Sequence, residues 1–286
     1  MGISNSILKY KYVMPLYASL FASMLLSPFS VGQTLTLSAE HYPPYTIDVS
    51  TDTDTTNLAI TNIDGKKMHA GLDIELIRHA YAVMGVDTKF KFSPWKRVMR
   101  NVRLGNILGG ISCRRTKSRE AFADFSNPVS QSGLAFITRS DFKGKIPQYL
   151  AGLKSLNVVI VSGYAQQSML ESRRINYSTA SSLTQGLNLV QHRDYDVFFS
   201  GWEGSAYEAK RLGYLDKLVF TRPATIATNA FHVCFSKMYA ESGKWRLVLN
   251  EGLEKIRIQG AMTTIKQKYG IQGKYDSMSY LAGNKN

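Results

Sequence analysis

The chain has 286 residues, with 35 lysines and arginines against 21 aspartates and glutamates, which is a formal net charge of +14. Hydrophobic residues make up 44% of the chain, an ordinary share for a globular protein, and this excludes intrinsic disorder. The basic residues are scattered and accompany no nucleic-acid-binding motif. The charge therefore indicates solubility, an anionic envelope or acidic ligands, and we predict no nucleic-acid partner.

The first 32 residues have the pattern of a secretory signal peptide. Lys9 and Lys11 are its only charges, a long apolar stretch follows, and small residues at 30–32 offer a cleavage site. A membrane anchor is the alternative, since the apolar run approaches the length of a span. Two prolines, interspersed serines and the small-residue end favour cleavage. We therefore expect an exported, periplasmic protein, whose charge falls from +14 to +12 when the two lysines are removed.

Strands and helices alternate along the first part of the mature chain. Leu35–Ala39 alternates apolar and polar residues, as a strand does. Gly71–Gly85 has the apolar spacing of an amphipathic helix, with Asp73 as a candidate cap. Thr88–Phe92 is the next predicted strand and Trp95–Leu104 the next helix. This alternation predicts a parallel sheet with helices on its faces.

The segment after the first strand contains the sequence Tyr-Pro-Pro-Tyr. Its two prolines restrict the backbone, so Tyr42 and Tyr45 are predicted to lie in a rigid loop. A plain surface turn with packed tyrosines is the alternative. Residues 49–66 are rich in threonine, aspartate and asparagine, which predicts a mobile hairpin or an insertion.

A buried strand at Ile107–Ile111 leads into a basic turn that runs from Ser112 to Arg119. In open α/β sheets, ligands bind outside the carboxyl ends of the strands, so this turn is a candidate site. Arg119 can make a two-pronged contact with a carboxylate, which a lysine cannot. A surface or interdomain ion pair is the alternative role for this arginine.

The second half of the chain repeats the alternation. Ser126–Arg139 is predicted to cross to a second lobe, with a hinge at Ser130–Gly133. A strand at Asn157–Val161 leads into Ser162-Gly163-Tyr164-Ala165 and a helix, which directs backbone N–H groups toward an anion. A helix with a Ser182–Gln185 capping box comes next, followed by a strand at Asp196–Ser200 with Gly201-Trp202-Glu203-Gly204 at its carboxyl end. The remaining predicted elements are a helix to about Leu212, a strand at Lys217–Phe220, a return crossing at Arg222–Ala230, a strand at Phe231–Lys237, and helices at Lys244–Ile258 and Ala261–Tyr269.

The chain has two cysteines, Cys113 and Cys234, which would lie in an oxidising compartment if the protein is exported. A bridge between them would close a loop of about 120 residues and contribute up to about 4–5 kcal/mol by the chain-entropy estimate. Two buried free thiols fit the sequence equally well.

Motifs of catalysis and metal binding are missing from the sequence. The five histidines have no metal-ligand spacing, and the Gly-x-Ser-x-Gly, Walker A and Gly-x-Gly-x-x-Gly patterns do not occur. We therefore predict no metal, no cofactor and no enzymatic activity.

One motif stands out: Thr116 and Arg119 are followed, six residues after the arginine, by Phe125-Ser126. Together with Tyr-Pro-Pro-Tyr and a closing helix-Gly-helix pattern, it resembles the extracellular solute-binding proteins of family 3. These proteins deliver amino acids and similar small polar molecules to membrane transporters. The resemblance extends from about Leu35 to Gly270.

The resemblance implies a type II periplasmic-binding-protein fold, in which two α/β lobes are joined by two hinge strands and close on a ligand. The first lobe would comprise residues 33–130 and the returning segment 231–286, and the second lobe residues 131–230. The family layout also favours the bridge between Cys113 and Cys234, because both fall in the first lobe near the ligand.

By the same resemblance, Arg119 grips a ligand carboxylate while Tyr42 and Trp95 enclose the apolar part of the ligand. The complete predicted set of ligand-binding residues is Tyr42, Trp95, Ser112, Arg114, Arg119, Ser162, Gly163, Tyr164, Trp202 and Glu203.

Two departures from the family pattern concern the ligand's ammonium group. The acid that usually holds it falls at Gly201, with Glu203 as the nearest substitute, and a second such acid falls at Ala39, with Glu40 beside it. Arg114 stands where the family usually has a hydroxyl. We therefore hypothesise a more acidic ligand, or one without an amino group.

The sequence predicts a monomeric solute-binding protein that serves an ABC permease or a membrane-bound sensor. One alternative is a dehydratase-like enzyme on the same fold, with Glu40 and Glu203 as its candidate acids. The other is an envelope interaction protein whose cleft no longer binds small molecules.

Overall fold

The computed structural model describes residues 34–50, 60–61, 67–192, 195–224 and 229–269. The predicted signal peptide, most of the predicted insertion at 49–66 and the last part of the return segment lie outside the described residues. None of the described helices is long and apolar enough to cross a membrane.

Strands and helices alternate over residues 72–125 and 158–221, as predicted. The strands are β1 (Thr34–Ala39), β2 (Ile60–Thr61), β3 (Lys67–Met68), β4 (Asp87–Phe92), β5 (Gly109–Arg114), β6 (Ala123–Phe125), β7 (Ser130–Ser132), β8 (Leu134–Arg139), β9 (Val158–Val161), β10 (Ser178–Ala180), β11 (Val197–Gly201), β12 (Leu218–Thr221) and β13 (Asn229–Ser236). The α-helices are α1 (Leu72–Ala82), α2 (Trp95–Arg103), α3 (Lys117–Glu120), α4 (Ala165–Glu171), α5 (Leu183–His192), α6 (Trp202–Arg211), α7 (Ser242–Ile258) and α8 (Ala261–Lys268).

The first large sheet has the order β4-β1-β5-β13-β6, and β7 also pairs with β13. β1 runs parallel to β4 and β5, whereas the returning strand β13 is antiparallel to β5, β6 and β7. The apolar residues of α1 and α7 join those of β1 in one buried cluster. Those of α2 form a separate cluster with Cys113 and Cys234.

The second large sheet has the order β10-β9-β11-β8-β12. β9, β10 and β11 are parallel, while β8 and β12 run antiparallel to their neighbours. The chain changes sheets at Gly133, between β7 and β8, and returns between β12 and β13. The predicted two-lobed α/β fold is thus confirmed, whereas the lobe boundaries near residues 130 and 230 stay a prediction.

The start of α1 differs from its prediction. Gly71, and not Asp73, is the N-cap residue, and no side chain caps the helix. Gly71 has a φ of 117°, and a Cβ there would lie 2.4 Å from the carbonyl oxygen of Tyr45, so the position requires glycine. Asp73 is buried and accepts a hydrogen bond of 2.6 Å from the hydroxyl of Ser112. The capping role predicted for Asp73 is therefore wrong.

Strand β5 begins and ends later than the predicted Ile107–Ile111. It extends past Ile111 because its pairing with β13 continues to Arg114, which faces Phe231. The basic turn is also more ordered than predicted, since α3 forms within it. The capping box of α5 is half confirmed: the backbone N–H of Gln185 donates to the Ser182 hydroxyl at 3.2 Å. The Gln185 side chain instead accepts from the backbone N–H of Ser181, at 2.6 Å.

Candidate ligand-binding site

A small cavity lies between the two sheets, where β1 and β5 end and α4 begins. Its volume is about 40 Å³, which is room for only a few water molecules. Both lobes contribute to its wall. The lining residues are Glu40, Tyr42, Thr46, Trp95, Ile111, Ser112, Arg114, Arg119, Tyr164, Ala165, Gln166 and Phe231.

Arg119 is placed by the short helix α3. The Thr116 hydroxyl caps this helix by accepting from the backbone N–H of Arg119, at 3.3 Å. The Arg119 side chain is buried above the Trp95 ring, with the guanidinium carbon 5.3 Å from the ring centroid. Its Nη1 donates to the carbonyl of Arg114 at 2.7 Å, and its Nη2 donates to the carbonyl of Gly163 at 2.9 Å. Since Gly163 belongs to the second lobe, Arg119 connects the two lobes.

Arg114 is the last residue of β5, and its guanidinium stacks over Phe231 at 4.8 Å from the ring centroid. It makes only long contacts with the carbonyl groups where the chain changes sheets, 3.5 Å to Ser132 and 3.3 Å to Gly133. These distances exceed those of strong charge-assisted hydrogen bonds. The Arg114 guanidinium therefore remains able to bind a further acceptor.

The two arginines form a buried pair of positive charges. Within the described residues, neither has a carboxylate within 4.0 Å. Burial is the main cause that lowers the pKa of Arg119 to about 10, and the neighbouring positive charge of Arg114 contributes to the same shift. Buried charges without a counter-charge are costly, so this part of the cavity favours an anion.

Glu40 supplies a carboxyl group to the same cavity. The hydroxyl of Tyr164 donates to its Oε2 at 2.6 Å, so this contact also joins the two lobes. Burial raises the pKa of Glu40 to about 7, although the hydrogen bonds from Tyr164 and from the Trp95 backbone act in the opposite direction. Glu40 was not in the predicted ligand-binding set: the sequence pointed to it as a substitute acid beside Ala39 and as a candidate acid of the enzyme alternative. Its position directly after the first strand was the available signal.

Aromatic rings enclose the cavity. The Tyr42 ring lies 6.0 Å from that of Tyr164 and 6.0 Å from that of Phe231, in edge-to-face geometry. Burial raises the pKa of the Tyr42 hydroxyl to about 12, so this group stays protonated. Phe231 was missing from the predicted set, because a phenylalanine at the start of a buried strand is ordinary core sequence.

The structure brings six of the ten predicted ligand-binding residues together in the cavity wall: Tyr42, Trp95, Ser112, Arg114, Arg119 and Tyr164. Ser162 and Gly163 lie just outside this wall. The N–H of Ser162 donates to Ala180 at 2.9 Å, and that of Gly163 donates to the side chain of Gln167 at 3.3 Å. The amides predicted to bind an anion are thus engaged within the second lobe.

Trp202 and Glu203 also lie away from the cavity wall, next to the crossing between the sheets. Glu203 accepts from the Ser132 hydroxyl at 2.8 Å and from the Gly133 N–H at 3.0 Å. The backbone N–H of Trp202 donates to the Gly133 carbonyl at 3.1 Å. Both residues hold the crossing segment in place, and a direct ligand contact for either stays a prediction.

The predicted disulfide between Cys113 and Cys234 is confirmed, with Cα atoms 5.8 Å apart. It joins β5 to β13 directly beside the site, since Nη1 of Arg119 lies 3.8 Å from the sulfur of Cys113. No group of three histidine, cysteine, aspartate or glutamate side chains that could hold a metal is found among the described residues.

Two α/β lobes connected at a double crossing, with a cavity between them, define a periplasmic-binding-protein fold. The chain belongs to the bacterial extracellular solute-binding proteins of family 3, whose family model matches residues 47–272. The family consists of binding proteins and is extracellular. No curated protein matches the chain in sequence.

Solved structures share this fold. A histidine kinase sensor domain with similarity to periplasmic binding proteins has a TM-score of 0.69 and 19% identity, over 83% of this chain and 96% of its own. An ABC uptake transporter substrate-binding protein from Streptococcus pneumoniae, with bound histidine, has a TM-score of 0.67 and 15% identity, over 82% and 92% of the two chains. An ancestral arginine-binding protein bound to glutamine has a TM-score of 0.67 and 16% identity, over 85% and 100%.

Proposed function

We propose that this protein captures a small carboxylate-bearing solute, an amino acid or a related acidic molecule, in the cavity between its lobes. One observation carries the proposal: Arg114 and Arg119 are both buried at this cavity without a carboxylate partner in the described chain. A ligand carboxylate supplies the missing counter-charge and accepts two parallel hydrogen bonds from one guanidinium.

Binding is coupled to lobe movement. A volume of about 40 Å³ is far below the roughly 300–1,000 Å³ of ordinary ligand pockets, so a solute enters only when the lobes or the lining side chains separate. Trp95 and Arg119 belong to the first lobe, whereas Tyr164 and Gln166 belong to the second. A solute that contacts both sets favours a closed arrangement, which is hinge closure about the crossing at Gly133.

The charges at the cavity support an acidic solute. Arg114 and Arg119 provide two positive charges, and Glu40 provides at most one negative charge. A dicarboxylate, or an acidic amino acid whose ammonium meets Glu40, balances this arrangement better than a neutral or cationic amino acid. Solved proteins of the same fold were bound to histidine, glutamine or arginine, so amino acids belong among the candidates.

The protein that receives the solute is an ABC permease or a membrane-bound sensor. A histidine kinase sensor domain and the substrate-binding protein of an ABC uptake transporter both share the fold, which supports these two kinds of receiver. A test of this step measures uptake and signalling in cells that lack the protein.

A thermal-shift screen of the purified protein against amino acids, dicarboxylates and small peptides tests the proposal. At about 100 times its dissociation constant, a ligand stabilises the protein by about 2.7 kcal/mol, a rise in Tm of a few degrees. We expect an acidic solute to produce this rise. We also expect Arg119→Ala and Arg114→Ala each to weaken its binding by at least about tenfold.

Arg115→Ala is the matched control, because this neighbouring arginine is exposed and paired with Glu120 at 2.6 Å. A ligand that binds Arg119→Ala as tightly as the native protein contradicts the proposed anchor. Binding of neutral or cationic amino acids alone contradicts the acidic class. If no compound in the screen raises the Tm, the result contradicts solute capture itself.

A further inference from the structure

A second concave site, the basic groove, lies next to the cavity between α2 of the first lobe and α4 of the second. Its volume is about 710 Å³, within the range of small-molecule sites. It meets the cavity at Arg119, Tyr164 and Ala165, which border both. Its other lining residues are Pro94, Lys96, Arg97, Met99, Arg100, Arg103, Thr116, Ser118, Phe122, Gly163, Gln167, Ser168 and Glu171.

The charge of the basic groove is strongly one-sided. Four exposed basic side chains come from α2 alone, at positions 96, 97, 100 and 103. In the described chain none of them has an acidic partner within 4.0 Å, and Arg103 instead stacks over Phe122 at 4.6 Å. Glu171 is the only acidic residue of the lining, and it already accepts hydrogen bonds from Gln167 and Tyr177.

The charges at the start of α2 work against its stability, whereas Arg100 and Arg103 in its last turn complement the helix macrodipole. The helix has no acidic residue in its first turn, where Lys96 and Arg97 lie. Positive charges at a helix N-terminus oppose the helix macrodipole. Arg97, Arg100 and Arg103 follow one another at intervals of three residues, so like charges also repel along the same face. A feature that costs stability locally and concentrates charge in a concave site indicates binding.

We propose that the basic groove is a second binding site, for a small polyanion that carries adjacent phosphate or carboxylate groups. The guanidinium groups of Arg97 and Arg100 grip separate anionic groups in bidentate fashion, because they lie one helical turn apart. The hydroxyl groups of Thr116 and Ser118 also line the groove. They lie 3.1 Å apart, so one donates to the other and a single O–H remains as a neutral donor for the anion. This inference does not depend on the solute of the central cavity.

Titration calorimetry with sodium tripolyphosphate and with orthophosphate tests the site. We expect tripolyphosphate to bind with one equivalent, more tightly than orthophosphate, and to weaken as salt screens the charges. Arg97→Gln/Arg100→Gln should weaken tripolyphosphate binding by at least about tenfold. The same variant should keep its Tm without ligand, because the gain from removing Arg97 near the start of α2 is offset by the loss of Arg100 from its last turn. It should also keep its affinity for the central solute, because the cavity residues stay in place.

Lys89→Gln/Lys91→Gln is the matched control. It removes the same net charge from β4, where both lysines are exposed and lie outside the basic groove. Tripolyphosphate binding that is unchanged in Arg97→Gln/Arg100→Gln, or equally reduced in the control, overturns the proposal.

Sedimentation with vesicles of phosphatidylcholine, with and without phosphatidylglycerol, distinguishes two sources of the anion. Tripolyphosphate binding without vesicle binding identifies a soluble polyanion. Vesicle binding that requires phosphatidylglycerol and is lost in Arg97→Gln/Arg100→Gln identifies a lipid headgroup. Absence of both kinds of binding overturns the site.

Discussion

Burial raises the pKa of the Glu40 carboxyl group, against the hydrogen bonds that this group accepts from Tyr164 and Trp95. Its carboxyl group keeps its proton up to about pH 7 in the folded protein, against an ordinary value of 4.5. Between these values the unfolded chain has released the proton that the folded protein still holds. The free energy of unfolding therefore falls as pH rises through this window, by an amount on the order of 3 kcal/mol from this group.

Glu40→Gln should remove this pH dependence, because an uncharged amide has no proton to release and still accepts from Tyr164. We expect the variant to gain stability relative to the native protein between about pH 4.5 and pH 7, and the difference to stay constant above. Urea unfolding of both proteins across this range measures it. Asp73, whose pKa burial raises to about 6, is present in both proteins and cancels in the comparison. Parallel profiles would show that the Glu40 carboxyl is not desolvated.

At the scale of elements, the pair β5–β13 organises the site. Cys113 and Arg114 are consecutive in β5, so the disulfide to Cys234 holds the strand from which Arg114 reaches the cavity. Ser112 has a φ of 55°, and its hydroxyl is held by Asp73. The register of β13 also shifts between His232 and Cys234. Both irregularities lie within three residues of the pair formed by Arg114 and Phe231, which line the cavity.

Removal of the disulfide should loosen this pair. In Cys113→Ala/Cys234→Ala, we expect the free energy of unfolding to fall by up to about 4–5 kcal/mol, because the bond spans 121 residues of chain. Urea unfolding of the native protein with and without reductant should reproduce the difference. The double variant should not respond to reductant. If reductant moves the unfolding midpoint of the double variant, or leaves that of the native protein unchanged, the disulfide is not the source of the stability.

At the scale of the whole molecule, the lobes meet where Tyr42 packs on Gly201 and Gly204. A Cβ at position 201 would lie 1.9 Å from the Tyr42 hydroxyl oxygen, and one at 204 would lie 2.7 Å from its Cζ. Tyr42 follows β1 in the first sheet, while both glycines belong to the second lobe. The two glycines therefore allow a close approach between the lobes.

Gly204→Ala should keep the lobes apart without unfolding either of them, since alanine is a better helix former than glycine but its methyl group meets the Tyr42 ring. We expect unchanged circular dichroism, a larger radius of gyration by small-angle X-ray scattering, and solute binding at least about tenfold weaker. Gly243→Ala is the control, since a Cβ there has no atom within 4 Å. An unchanged radius of gyration in Gly204→Ala would contradict this account of closure.

Local residue patterns were enough to predict the order of most elements and the position of Arg119 after a sheet strand. Both follow from local patterns: the apolar spacing along α1, and the short apolar run Ile107–Ile111 that precedes the basic turn. The family motif extended this to the two-lobed fold. Local patterns depend on residues within a few positions of each other, which a single sequence displays directly.

Contacts between residues far apart in the chain could not be predicted from such local patterns. Glu40 meets Tyr164, Phe231 lies under Arg114, and Glu203 holds the crossing at Gly133. These contacts depend on the strand order of two sheets and on how the lobes close. The same holds for Asp73, whose side chain reaches Ser112 in place of its own helix. Burial, which sets the pKa of Glu40 and the cost of two unpaired arginines, arises only when the chain is folded.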